Sequence, residues 1–414
     1  MTSFLIRNFG CRVNQAEAFN WAAEFQSHGL KLENDPGRSD LVVVNSCTLT
    51  GRADRDVRKF INQVTRANPS ARLILTGCYV ERAREEFGNI PQVWLVVPNA
   101  EKEALARRVL SHFRPEKSGQ ILPYKSRALL KVQDGCDFRC TYCIIPHVRG
   151  KSSSLDFREA LARAGVLSVQ GYREIVLSGI HLCSYGIDLE PRRSLPELLL
   201  ALEKVDGLKQ VRLSSLDPRF LKPEWLRELG ASSKVCPHFH LSLQHASRRI
   251  LERMGRRIGS EDFRELLASL RARFPEASLG ADIIVGVPGE EDEDFDALIR
   301  FLEESPLSYF HVFSYSPRSW TAAANLPQVG DRVKTERSKF LREMSRKKNG
   351  AFCRDFVGKV CPGIVISKKG NRTEVLTSNY IKVLTPATSA PVRESVRVLI
   401  TEAGSRETTG TVVS

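Results

Sequence analysis

The stretch "DGCDFRCTYC" sets Cys136, Cys140 and Cys143 in a CxxxCxxC loop. Three thiolates this close in sequence can wrap one corner of a cubane iron-sulfur cluster and leave its fourth iron without a protein ligand. A structural zinc takes four protein ligands, and neither a second CxxC nor a suitably placed CxxH pair follows, so a zinc knuckle is the lesser reading. The aromatic Tyr142 just before the third cysteine favours the cluster. A second trio lies upstream, where "SFLIRNFGC", "DLVVVNSC" and "RLILTGC" each end an apolar run on a cysteine, at Cys11, Cys47 and Cys78. Thiols buried merely as small hydrophobes would not fall each time at the end of a strand. Three thiolates on one sheet edge can hold a second cluster, again with one open iron.

The elements that position these residues follow from hydrophobic periodicity. Up to about residue 115, apolar runs at 4–7, 41–45, 73–76 and 94–97 alternate with helical stretches at 16–28 and 52–67, the latter carrying Val57, Phe60, Ile61 and Val64 on one face. This βαβα order predicts an open parallel sheet. Ligands of such sheets collect outside the carboxyl ends of the strands, which puts Cys11, Cys47 and Cys78 on one edge. From about 125 to 345, six strand candidates ("ALLKVQ", "EIVLSG", "QVRLSSL", "HFHLSLQ", "LGADIIVG", "FHVFSYS") are each followed by a loop and a helix-compatible stretch. Six units predict an incomplete barrel with its chemistry on the carboxyl-terminal face. A basic helical stretch at 335–356 leads into a β-rich tail turning at "KKGNR". A small antiparallel barrel there, presenting Lys368, Lys369, Arg372 and Lys382 with Tyr380 among them, would suit an oligonucleotide.

Composition limits the partners. The 414 residues are 42% hydrophobic and 27% charged, which are globular values. Lysine and arginine exceed the acidic residues to give a formal charge of +14, so a polyanion is the natural partner. No apolar run is long enough to cross a bilayer and the start of the chain lacks a secretory core, so a cytoplasmic protein without membrane partners is expected. Ten cysteines in such a chain point to metal or redox chemistry rather than disulfides.

The CxxxCxxC loop with its aromatic, placed after the first barrel strand, resembles the radical S-adenosylmethionine (SAM) superfamily. The upstream trio narrows the likeness to the methylthiotransferases. "YCIIPHVRG", "RLSSLDP", "HLSLQHASRRILERMGR", "ADIIVGVPGE" and "LTSNYIKV" resemble blocks of that family, and "GCRVNQAE" is similar to its threonylcarbamoyladenosine branch. The resemblance covers essentially the whole chain. It implies an α/β multidomain protein: an N-terminal open parallel α/β sheet at 1–115, a central partial (β/α)6 TIM-like radical SAM barrel at 122–348, and a C-terminal small antiparallel β-barrel, TRAM, at 350–414.

The implied activity is that of a transferase which inserts sulfur and a methyl group at C2 of N6-threonylcarbamoyladenosine beside the tRNA anticodon. The implied cofactors are two 4Fe-4S clusters, on Cys11, Cys47 and Cys78 and on Cys136, Cys140 and Cys143, with one S-adenosylmethionine for the radical and a second for the methyl group. Tyr142, Ser178, Gly179, Ser215 and Gln244 are the implied S-adenosylmethionine contacts, although "LSGIHLCSYG" departs from the plain glycine-rich sequence of the superfamily. Arg149 and Lys151 join the tail residues as candidate RNA contacts. No side chain is singled out as a catalytic acid, base or nucleophile. The implied partners are the tRNA anticodon stem-loop, an external electron donor and a sulfur donor.

Other readings remain. The isopentenyladenosine enzyme and the ribosomal-protein enzyme share the chemistry. A cobalamin-dependent radical methylase would carry an Asp-x-His-x-x-Gly signature, which is absent. A non-catalytic iron-sulfur RNA-binding module would lack a pocket for S-adenosylmethionine. Asn14 and Asn45 are expected near the first trio as donors to cluster sulfurs or as loop caps. The remaining cysteines and all eight histidines carry no metal-ligand spacing.

Overall fold

The structure, a computed structural model, describes residues 2–114, 124–404 and 407–413. The expected boundary between the first two domains, at 115–122, falls outside the described residues. The chain forms two compact units. One holds residues up to 125 together with 134–151 and 316–321, and the other holds 126–133, 152–315 and the rest.

The first unit is built on a parallel sheet ordered Lys31–Leu32, Ser3–Asn8, Leu41–Ser46, Arg72–Gly77, Val93–Val97. Phe4, Ile6, Leu41, Val43 and Ile74 face the helix Arg12–Ser27, which contributes Trp21 and Phe25. Leu5, Val42, Val44, Leu73 and Leu75 face the helix Gly51–Ala67, which contributes Val57, Ile61 and Val64. Both faces are covered, so these strands read as continuous apolar runs rather than alternating ones. The edge strand Lys31–Leu32 has only two residues and leaves no periodic signal in the sequence.

The second unit holds six parallel strands: Ala128–Lys131, Glu174–Ser178, Gln210–Leu213, His238–Gln244, Ser278–Val285 and Tyr309–Ser314. They pair as two three-stranded sheets joined by single bridges, Val211 to Val235 and Leu216 to Leu241. The helix Asp331–Arg354 then leads to a closed five-stranded barrel. Its order is Val360–Lys369, Arg372–Thr377, Lys382–Pro386, Thr408–Val413, Ser395–Ala403. Closure removes the exposed edges that a small sheet would otherwise present. This barrel is not wholly antiparallel, because Lys382–Pro386 runs parallel to Thr408–Val413 where the last strand slots in to close the ring.

A buried arginine joins the tail barrel to the radical barrel. Arg212, 2% exposed, is paired with Glu174 at 2.8 Å and donates to the carbonyls of Ser378 at 2.9 Å and Thr377 at 3.2 Å.

Candidate functional site

Cys11, Cys47 and Cys78 each follow the carboxyl end of one of three adjacent strands. Glycines make the approach possible. Gly10 has φ +104° and a Cβ there would lie 2.6 Å from the Cβ of Cys47, while Gly77 has φ +99° and a Cβ would meet the Ser46 carbonyl at 2.3 Å. The neighbouring loops therefore touch through a missing side chain. Burial pushes the Cys47 thiol up to about 12, and the nearby thiols of Cys78 and Cys11 act in the same direction. Burial likewise raises Cys11 against the pull of the Arg149 cation.

The three sulfurs do not all lie within 4.8 Å of one another. A single tetrahedral zinc, at about 2.3 Å from each sulfur, would draw them to within about 4 Å.

A charged network lies beneath the trio and ties it to the loop that carries the other cysteines. Lys102 Nζ donates to Glu17 Oε2 at 2.7 Å and to Asn45 Oδ1 at 3.1 Å. Arg149 donates to Glu17 Oε1 at 3.1 Å, to Asp134 Oδ1 at 2.7 Å and to the amide oxygen of Asn14. Asn14 Nδ2 donates to the carbonyls of Phe9 and Ser46, both at 2.9 Å. The Asn14 amide therefore staples two of the cysteine loops together while its oxygen accepts from Cys11 Sγ at 3.6 Å, and Asn45 Nδ2 donates to Asn14 O at 3.0 Å.

Cys136, Cys140 and Cys143 occupy this same unit. Gly135, with φ +66°, lies so close to Lys151 that a Cβ would meet its carbonyl at 1.9 Å, and the Cys136 amide donates to Gly150 O at 3.1 Å. Cys143 N donates to Cys140 O at 3.0 Å, which turns the chain between the two thiols. Beyond the loop, Ile144 and Val148 pack directly on Cys78. Tyr142 is half-buried.

Arg149 departs from the sequence expectation. Its side chain is 1% exposed and balances the buried Glu17 and the partly buried Asp134, so it is not available to a phosphate. Glu17 lies 132 residues away, which is why the local stretch gave no hint of the pairing. Lys151 is exposed. Lys102 and Glu17 were not singled out from sequence, since each looks like an ordinary helical surface residue.

In the second unit, Ser178, Gly179, Ser215 and Gln244 stand at or just past the carboxyl ends of barrel strands. The Ser178 and Ser215 hydroxyls are buried with no hydrogen-bond partner among the described residues. The Gly179 amide donates to Ser214 Oγ at 3.3 Å, and a Cβ on Gly179 would meet Leu182 Cα at 2.9 Å. Gln244 holds φ +73°, a conformation that costs a residue with a side chain about 1–3 kcal/mol and persists where surrounding structure enforces it. Cys183 and Cys236 are buried beside Asp217 and Gln210, in keeping with structural thiols.

Lys368, Lys369, Arg372 and Lys382 are exposed on the tail barrel, with Lys382 paired to Glu374 at 2.8 Å. Tyr380 departs from expectation. Its ring stacks on His238 at 4.1 Å between centroids and lies under the Arg212 guanidinium at 5.2 Å, so it faces the radical barrel and not the lysines.

Comparison with known proteins bears on the family of the whole chain. Residues 130–302 match the Radical SAM superfamily and residues 3–98 match a family described as "Uncharacterized protein family UPF0004". The chain is 36% identical over 409 residues to the threonylcarbamoyladenosine tRNA methylthiotransferase MtaB of Aquifex aeolicus, covering 94% of this chain and 98% of that one. It is 35% identical to the protein of the same name from Chlamydia pneumoniae, covering 83% and 82%. A ribosomal protein uS12 methylthiotransferase, RimO of Moorella thermoacetica, is 33% identical over 81% and 82%. Among solved structures, the radical S-adenosylmethionine methyltransferase TsrM from Kitasatospora setae superposes with a TM-score of 0.57 at 14% identity, covering 78% of this chain and 77% of that one, a likeness of fold alone. The chain belongs to the methylthiotransferase family of radical SAM enzymes.

Proposed function

We propose that this chain is the tRNA methylthiotransferase that places sulfur and a methyl group on C2 of N6-threonylcarbamoyladenosine beside the anticodon. What supports the nucleoside is the run of relatives named for that activity, at 32–36% identity over most of the chain. The observation that carries the chemistry is that both cysteine trios fall in one compact unit, where Cys78 packs on the segment just beyond Cys143. Each trio is read as holding one 4Fe-4S cluster.

C2 of an adenine ring bears an unactivated C–H bond that ordinary nucleophiles do not attack. Bound clusters with S-adenosylmethionine would supply the radical that breaks that bond, together with the sulfur and the methyl group. The chain's own residues hold and tune these groups. Cys11 and Cys47, kept protonated by burial, must release protons when they bind metal. Arg149 and Lys102 set two cations beside the resulting thiolates, with Glu17 and Asp134 fixing where those cations stand. Ser178 and Ser215 offer hydroxyls to S-adenosylmethionine, and Lys151, Lys368, Lys369, Arg372 and Lys382 offer charge to RNA. An electron donor and a sulfur donor come from outside the chain.

Mass spectrometry of tRNA nucleosides from cells with and without this chain tests the reading. The methylthio group should appear on threonylcarbamoyladenosine only when the chain is present. Its appearance on isopentenyladenosine, or on a ribosomal protein with tRNA unchanged, would move the chain to another branch.

A further inference from the structure

Within the second unit, the last three barrel strands bring together a set of side chains that no spacing in the sequence reveals. His240 lies on His238–Gln244, Asp282 on Ser278–Val285 and His311 on Tyr309–Ser314. Their ligand atoms all fall within 4.8 Å of one another. His240 Nε2 is 2.9 Å and His311 Nδ1 is 3.5 Å from the same oxygen, Asp282 Oδ1. Strand register produces this: Asp282 stands opposite His311, and His240 stands opposite Gly280, two residues before Asp282. Alternation turns all three to the face opposite Phe239, whose ring packs at 4.7 Å on Phe274 of the outer layer. The set therefore looks into the barrel. Gln244 is on the same strand, four residues or about 13 Å nearer the carboxyl-terminal face.

The surroundings are built for the set. His240 Nδ1 lies 3.1 Å from the Tyr309 hydroxyl, which is also 2.8 Å from His238 Nε2. Gly280 makes this meeting possible, because a Cβ there would sit 2.3 Å from the Tyr309 ring and 2.7 Å from His240 Nδ1. A ring nitrogen engaged from behind fixes the tautomer and aims the other nitrogen forward, as metal-ligating histidines require. Burial works against the charge of Asp282, yet the two imidazoles outweigh it and hold the carboxyl well below the usual carboxylate range. The side chains are 11%, 23% and 58% exposed in the order His240, Asp282, His311, so one side of the set is open to solvent.

We propose that His240, Asp282 and His311 form a zinc-type site for one divalent metal ion, distinct from both cysteine trios and with its remaining positions open to the barrel interior. Two imidazoles and one carboxylate are the donor set of three-ligand zinc centres, and the absence of thiolate separates this site from those that favour iron-sulfur clusters. Loading releases a proton wherever His240 Nε2 carries the hydrogen it gives to Asp282.

The test uses the full chain with its clusters reconstituted, titrated with cobalt(II) as the probe. In difference spectra against the cobalt-free chain, one ion per chain should bind with the ligand-field absorption of a nitrogen and oxygen site, with no added thiolate charge transfer, and zinc should displace it. His311→Ala, at a position more than half exposed, and Asp282→Asn should each weaken cobalt binding by about tenfold or more, and Tyr309→Phe by about 10–100-fold, with cluster iron unchanged. Absence of such absorption, thiolate-type absorption alone, or equal affinity in folded His311→Ala would overturn the site, whatever the tRNA nucleosides show.

Discussion

A glycine precedes Cys11, Cys78 and Cys136, and in each case the backbone is left-handed and a Cβ would strike the adjoining loop. These glycines set how closely the thiols approach. Gly10→Ala should destabilise the fold by about 1–3 kcal/mol in denaturant and reduce the iron retained after reconstitution, because the added methyl meets Cys47 in a strained conformation. Unchanged iron would mean that the loops have slack. Cys47→Ala should leave formation of 5′-deoxyadenosine intact while abolishing sulfur insertion, measured on the same reaction mixture. If both fall together, the two trios do not act separately. The raised thiols of Cys11 and Cys47 set a pH dependence. Metal must displace their protons, so cluster loading at the first trio should strengthen as pH rises from about 6 to 8.5. Iron content against pH, compared between the parent chain and Cys47→Ala, reads the effect.

At the scale of elements, Arg149 shows how a loop is held to a sheet. Removing its charge while keeping its bulk, as in Arg149→Met, takes one of two cations from the buried Glu17, which keeps Lys102, and the Arg149 pairing from the partly buried Asp134. Loss of that partner, with Lys102 still balancing Glu17, costs about 1–3 kcal/mol, to be read from the denaturant midpoint. The parallel strands were legible because burial on both faces writes runs such as Leu41 to Val44, and the cysteines because they follow those runs. The network was not legible, because Glu17, Lys102, Asp134 and Arg149 come from four separate places in the chain and each alone resembles surface charge. The same holds for His240, Asp282 and His311, which only strand register brings together. Tyr380 misled for a related reason. A tyrosine amid lysines reads as a nucleic-acid contact, whereas His238 and Arg212 claim its ring.

For the whole molecule, the charge of +14 makes RNA affinity depend on salt. Replacing Lys368, Lys369 and Arg372 with alanine should lower the slope of log affinity against log salt by about 0.7–0.9 for each phosphate no longer neutralised. An unchanged slope would place the electrostatic attraction elsewhere. The radical barrel grips the tail barrel through Arg212, which reaches the carbonyl oxygens of Thr377 and Ser378. Every amino acid carries that oxygen, so this part of the joint reads the path of a bend and is indifferent to which residues make it. The exposed surface of the tail barrel is thereby free to diverge while the attachment stays constant, and a tail transplanted from a distant relative should seat correctly provided its bend follows the same course and keeps the ring at Tyr380.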